Sequence, residues 1–269
     1  MLRACEEAKL ELEVLVGTSA GAMACAFIAA GIESESLVSP FRSSRGARRW
    51  RDFGSPLPFF SRPNLERLSR SFTRTRGVLR ADGIESFLRK ALPTNNFADL
   101  ERELHVITTD LASSSRVVFD QGLEVPVSQA VAASMSLPVL FRPFRVNGRE
   151  YFDGSISRSL SLDVACSAGA DLIIASMVHA PFQGEEDSFP HRGMVRIVTQ
   201  AINTMARSRA LMEIDLCRHE NPDVRVVLVE PTRKDPGLVN AFSPHEAWNV
   251  IVTGYAAARK SLRQAGLLG

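Results

Sequence analysis

Apolar and polar positions along the chain follow two periods, and the switches between them predict the elements. Leu2, Cys5 and Ala8 recur on one side of residues 2–9, with Arg3, Glu6, Glu7 and Lys9 elsewhere, which predicts the end of an amphipathic helix. "LEVLV" (12–16) is a short β-prone run ending at Gly17, and "AGAMACAFIAAG" after it is a small-residue helix stopped by Gly31. Helix, strand, tight turn and helix in that order predict an α/β fold whose strand is central and parallel. Further on, a helix is expected over 82–92, capped by Asp82 and ended by Pro93. Strands are expected at 104–111 and 115–120, a helix from Ser128, and an extended run over 149–157 broken by Asp153-Gly154. Residues 163–178 repeat the helix–turn–strand grammar. A long helix (194–219), a strand (223–231) and a closing helix (243–266), with Ser243 as cap and Pro244 at its first position, complete the pattern. No internal repeat and no domain boundary stand out, so residues 1–269 are read as one domain.

Composition changes this picture in one place. Lysines and arginines number 32 against 30 acids, a net charge of +2, which argues against a dedicated nucleic-acid binder. The charge is uneven, however. The segment at about 34–80 reads as loops and short helices, and from residue 42 it holds eleven arginines against Asp52 and Glu66. Trp50, Phe53, Phe59, Phe60 and Phe72 are interleaved with them. Two readings stay open for residues 42–80: contact with anionic lipid headgroups, or a solvated cap. No folded nucleic-acid motif accompanies the arginines. Cys5, Cys25, Cys166 and Cys217 are scattered without a C-x-x-C, so they read as reduced packing thiols, with no metal site suggested. No apolar run approaches the roughly 18 residues of a membrane span, and the charged N-terminus has no signal-peptide core. The expectation is a cytoplasmic protein, with peripheral membrane contact left open.

Chemistry enters at "GTSAG" (17–21). A Gly-x-Ser-x-Gly between a β run and a helix has the context of a nucleophile elbow. Gly17 would permit the sharp turn, and Gly21 would let the helix lie against neighbouring strands without a Cβ clash. Ser19 would then stand at a helix N-terminus, where amides and the helix dipole favour developing negative charge. The other reading is a Gly-rich turn that packs a helix on a sheet or binds phosphate. A nucleophilic serine needs a base. His179, His191, His219 and His245 are the late histidines that a triad could use, and none has distinguishing surroundings. Asp153, on a turn after a β run, is the other candidate.

With both blocks in view, the sequence resembles the patatin-like phospholipases. "GTSAGA" (17–22) and "FDGS" (152–155) are similar to that family's serine and aspartate motifs, in the same order. "FADLERELHVITTDLASSSRVVFDQG", "VSQAVAASMSLPVLFRPFRVNGREYFDGS", "ACSAGADLIIASMV" and "GYAAARKSL" resemble other family segments, so the likeness runs over residues 2 to 263. It implies a three-layer α/β/α fold around a mainly parallel sheet. It also implies hydrolysis of fatty-acyl esters of phospholipids or lysophospholipids through a Ser19–Asp153 dyad that needs no histidine and no cofactor. Gly154 belongs to the aspartate motif, and the Ala20 amide would supply part of the oxyanion hole. The family's glycine-rich oxyanion loop and first strand have no counterpart in residues 1–16, where no glycine occurs. That departure leaves a second expectation, a patatin-like protein that binds lipid or a partner without turnover. A triad-type esterase is the third.

Overall fold

The computed structural model describes residues 1–39, 79–138, 140–178, 194–231 and 244–269. The arginine-rich stretch from 42 to 78, the loop over 182–193, His179 and His191 lie outside the described residues. The chain forms two compact units. One takes in Glu13–Ile32 and the described residues up to Ser161, and the other holds Met1–Leu12, 33–39 and the described residues from Leu162 onward.

The first unit is built around β2 (Glu103–Asp110), in which six of eight side chains are buried, including Val106, Ile107 and Thr108. Such a strand has to be central, because only neighbours on both edges and both faces can cover it. On one edge it pairs antiparallel with β3 (Arg116–Phe119). The other edge is shared. β1 (Val14–Thr18) runs parallel to its first half, ending at Thr18 opposite Ile107, and β5 (Arg149–Asp153) runs antiparallel to its second half, ending at Asp153 opposite Thr108. Two strand ends therefore meet head to head beside consecutive residues of β2. The expected α/β class is the observed one, with the β1 pairing parallel and the others in this five-stranded sheet antiparallel.

Among its described residues, three α-helices pack in this unit. α2 (Ala20–Ala29) buries Ala22, Ala26, Phe27, Ile28 and Ala29, and its small residues let it approach β1 and β2 closely. An α5 helix (Val127–Ser134) buries every residue but Gln129, against α2, β2 and β5. Between them in sequence, α4 (Asp82–Ala91) covers α5 with Ile84 and Leu88. Asp82 is not its cap. Ala81 holds that position, and Asp82 opens the helix with its carboxylate 2.5 Å from Arg80 Nε, where an acid favours the N-terminal dipole. The hairpin of β4 (Phe144–Val146) with β5 is absent from the sequence reading. Its signal was Asn147-Gly148, whose φ values of 46° and 83° fit the two-residue turn that matches strand twist.

The second unit pairs β6 (Leu172–Ser176) parallel with β7 (Arg225–Val229). Its described helices are α1 (Leu2–Glu7), α3 (Ser34–Val38), α6 (Leu162–Ser167), α7 (Met194–Glu220) and α8 (Pro244–Gln264). Ala4 and Cys5 of α1, Val227 and Val229 of β7, and Ala258 and Leu262 of α8 form one core cluster. All four cysteines are free, and Cys166 and Cys217 bring their sulfurs to 3.3 Å across α6 and α7. Among the described residues, no helix is long and apolar enough to cross a membrane.

Candidate active site

Ser19 sits where β1 becomes α2, with φ 56° and ψ −127°. A non-glycine residue in such a conformation costs on the order of 1–3 kcal/mol and persists only where its surroundings enforce it. Gly17 is part of that enforcement: a Cβ there would lie 2.5 Å from Ala22 Cα, so only glycine lets the helix fold back over the strand. The expectation for Gly21 is corrected. A Cβ at that position meets nothing within 4 Å, because Gly21 lies on the exposed side of the first turn. Ala20 is the first helical residue, and its amide has no carbonyl of α2 to bond.

Asp153 ends β5 and is 1% exposed. The shared edge of β2 brings it close to the Ser19 elbow: Thr18 ends β1 opposite Ile107, and Asp153 lies opposite Thr108. The Asp153 carboxylate accepts from the Ser155 amide at 2.9 Å and the Ser155 hydroxyl at 2.8 Å. Burial pushes the Asp153 carboxyl above the usual carboxylate range, and the bonds from Ser19 and Ser155 pull against that rise. The backbone around it is pinned on every side. Its amide donates to the Ser136 carbonyl at 3.1 Å, and the Thr109 hydroxyl lies 3.1 Å from its carbonyl and 2.9 Å from Ser157 Oγ. Gly154 is required next: a Cβ would fall 2.3 Å from the Ile107 carbonyl oxygen.

The register of β1 and β5 on β2 thus brings the predicted pair, Ser19 and Asp153, to one point of the sheet. Of the four late histidines, His219 is exposed in the last turn of α7, and the other three have no described side chain. Sequence reasoning missed Ser155, although a serine two residues after a turn aspartate is a local capping signal. It also missed Ser134 and the pair Asp110–Arg149, which long-range pairing alone creates. Asp110, buried beside the site on β2, takes Arg149 Nε at 2.8 Å and the Ser113 amide at 2.8 Å. Among the described residues, no group of three or more His, Cys, Asp or Glu side chains could hold a metal ion.

A serine on a strained strand–helix elbow beside a buried carboxylate brings together the types of group that nucleophilic catalysis uses. Residues 1–166 match the patatin-like phospholipase family, a family of lipid acyl hydrolases, and the chain belongs to it. Among curated proteins it is 26% identical over 190 residues to an uncharacterized NTE family protein of Mycobacterium tuberculosis, covering 70% of this chain and 51% of that protein. It is 29% identical over 153 residues to the uncharacterized protein YqhO of Bacillus subtilis, covering 52% and 51%. The chain therefore spans about half the length of these relatives. Among solved structures, VipD from Legionella pneumophila aligns at 14% identity and a TM-score of 0.45, over 98% of this chain and 64% of that one.

Proposed function

We propose that this chain hydrolyses fatty-acyl esters of phospholipids or lysophospholipids, with Ser19 as nucleophile and Asp153 as its base. The observation that carries the reading is the strand register that sets the strained Ser19 elbow beside an almost fully buried carboxylate, Asp153. In that setting Asp153 takes the Ser19 proton as Oγ attacks the acyl carbonyl carbon. The Ala20 amide, at the positive end of α2, donates to the oxyanion that develops. Collapse expels the alcohol, which leaves with the proton held on Asp153. Water then attacks the acyl-enzyme with Asp153 again as base, releasing the fatty acid and free Ser19. A carboxyl lifted toward neutrality suits both roles better than an ordinary one, since a base and acid of matched pKa works in each direction. Arginines 42–80 are proposed to meet anionic headgroups at a membrane surface.

Fatty-acid release from lysophospholipid micelles tests the reading. Wild type is expected to release it. Ser19→Ala and Asp153→Asn are each expected to lower the rate by at least about 10³-fold, as losses of a nucleophile or its partner do. Binding of the same micelles without release by any variant would favour the non-catalytic lipid-binding alternative.

A further inference from the structure

Ser134, the last residue of α5, stands between Ser19 and β2. It is 0% exposed. Its hydroxyl accepts from the Ser19 amide at 2.8 Å and donates to the Ile107 carbonyl at 2.6 Å. Ile107 is the residue paired with Thr18, the last position of the parallel β1–β2 ladder. Beyond that point the chain turns into the elbow. The Ser134 hydroxyl thus passes the Ser19 N–H on to a carbonyl of β2, the neighbour of the strand that Ser19 has left. It keeps the donor-to-acceptor direction of the backbone bond it extends.

We propose that Ser134 is the positioning residue of the elbow: its hydroxyl fixes the Ser19 backbone so that the side chain meets Asp153. The proposal rests on the reading of Ser19 as nucleophile. Three features support it. Only a hydroxyl donates and accepts at one atom, as this position between the Ser19 amide and the Ile107 carbonyl requires, and alanine would remove both bonds. Ser19 has a positive φ, and α2 gives it no side-chain cap bond, so the tether acts where the backbone has least local support. Finally, the same Ile107 carbonyl faces Gly154, so Ser134 references the serine to the strand atom that the aspartate turn packs on. Ser134 touches no reacting atom. It acts through Ser19.

The test compares Ser134→Ala with Ser128→Ala. Ser128 lies at the other end of α5, is equally buried, and spends its hydroxyl on Glu85 and Asn95, away from the elbow. It controls for the loss of a buried hydroxyl from this helix. Two quantities are read: hydrogen exchange of the Ser19 amide by NMR, and the rate of covalent labelling by a fluorophosphonate. For Ser134→Ala the Ser19 amide is expected to exchange about tenfold faster, from the loss of its one bond. Labelling is expected to slow by about 10²-fold, the effect of a small misplacement of a reacting group. Ser128→Ala should leave both near wild type whatever its Tm. Unchanged Ser19 exchange in Ser134→Ala, or equal slowing of labelling in the two variants, would overturn the proposal. Faster exchange together with no labelling even of wild type would instead overturn the reading of Ser19 as nucleophile, the tether itself having been observed.

Discussion

At the scale of single residues, the site depends on a carboxylate kept where water does not reach it. Burial raises the Asp153 pKa, while the Ser19 and Ser155 donors restrain the rise. The proposed base, Asp153, would work ionised, so kcat/KM should fall as pH drops through its folded pKa. The acidic limb of the profile is expected above the roughly 3.9 of a free aspartate. Removing the Ser155 hydroxyl with Ser155→Ala deletes a donor to the charged form and should move that limb further up. A limb at or below the free value, or one that moves down in Ser155→Ala, would contradict this account. Ser19 and Asp153 stand out in the sequence because each lies in a short block with local reasons for its neighbours. Ser155 belonged to the same block and could have been read with it. Ser134 could not, since a serine in "QAVAASMS" gains its meaning only when α5 is laid on β2.

At the scale of elements, the site is a meeting of strand ends. β1 and β5 share one edge of β2 and stop at Ile107 and Thr108, which places Ser19 against Asp153 without a loop between. The approach leaves no room at Gly154, where a Cβ would meet the Ile107 carbonyl at 2.3 Å, yet leaves open space at Gly21. Gly154→Ala is therefore expected to cost about 1–3 kcal/mol through overpacking, read as a lower Tm or denaturant midpoint. Gly21→Ala should leave stability unchanged or raise it by about 0.5 kcal/mol, since alanine is the better helix former. Equal losses at both would mean that α2 lies closer to its neighbours than described here. Elements with a clear local signal, such as the small-residue run of α2, the β-prone run of β2 and the amphipathic period of α4, were predictable nearly to their ends. The antiparallel arrival of β5 was not, because strand order follows from chain reversals such as Asn147-Gly148 rather than from the pattern of any one strand.

At the scale of the whole molecule, the charge ledger is nearly balanced, and individual buried charges matter more than the net value. Asp110 is the clearest case. The Arg149 guanidinium and the Ser113 donors hold its carboxyl well below the usual carboxylate range. A depressed folded pKa means that the unfolded chain binds the proton more readily. Asp110 therefore contributes its stabilisation in full above the unfolded value near about 3.9, and loses it as pH falls toward the folded pKa. In thermal unfolding across that acidic window, wild type should lose Tm with falling pH more steeply than Asp110→Asn. Parallel curves for the two would count against a charged, paired Asp110. The α/β class was legible from helix–strand alternation alone, as was the absence of a long apolar span from composition. Division into two compact units was not, because no Gly/Pro linker marks it and Glu13–Ile32 is flanked by chain of the other unit on both sides.

The central claim is that Ser19 is a nucleophile made reactive by Asp153, and peptide mapping after fluorophosphonate treatment tests it most directly. The account predicts one adduct, on the peptide carrying Ser19, absent from Ser19→Ala and formed far more slowly in Asp153→Asn. Folded wild-type protein that takes no label, or an adduct that survives Ser19→Ala, would contradict it.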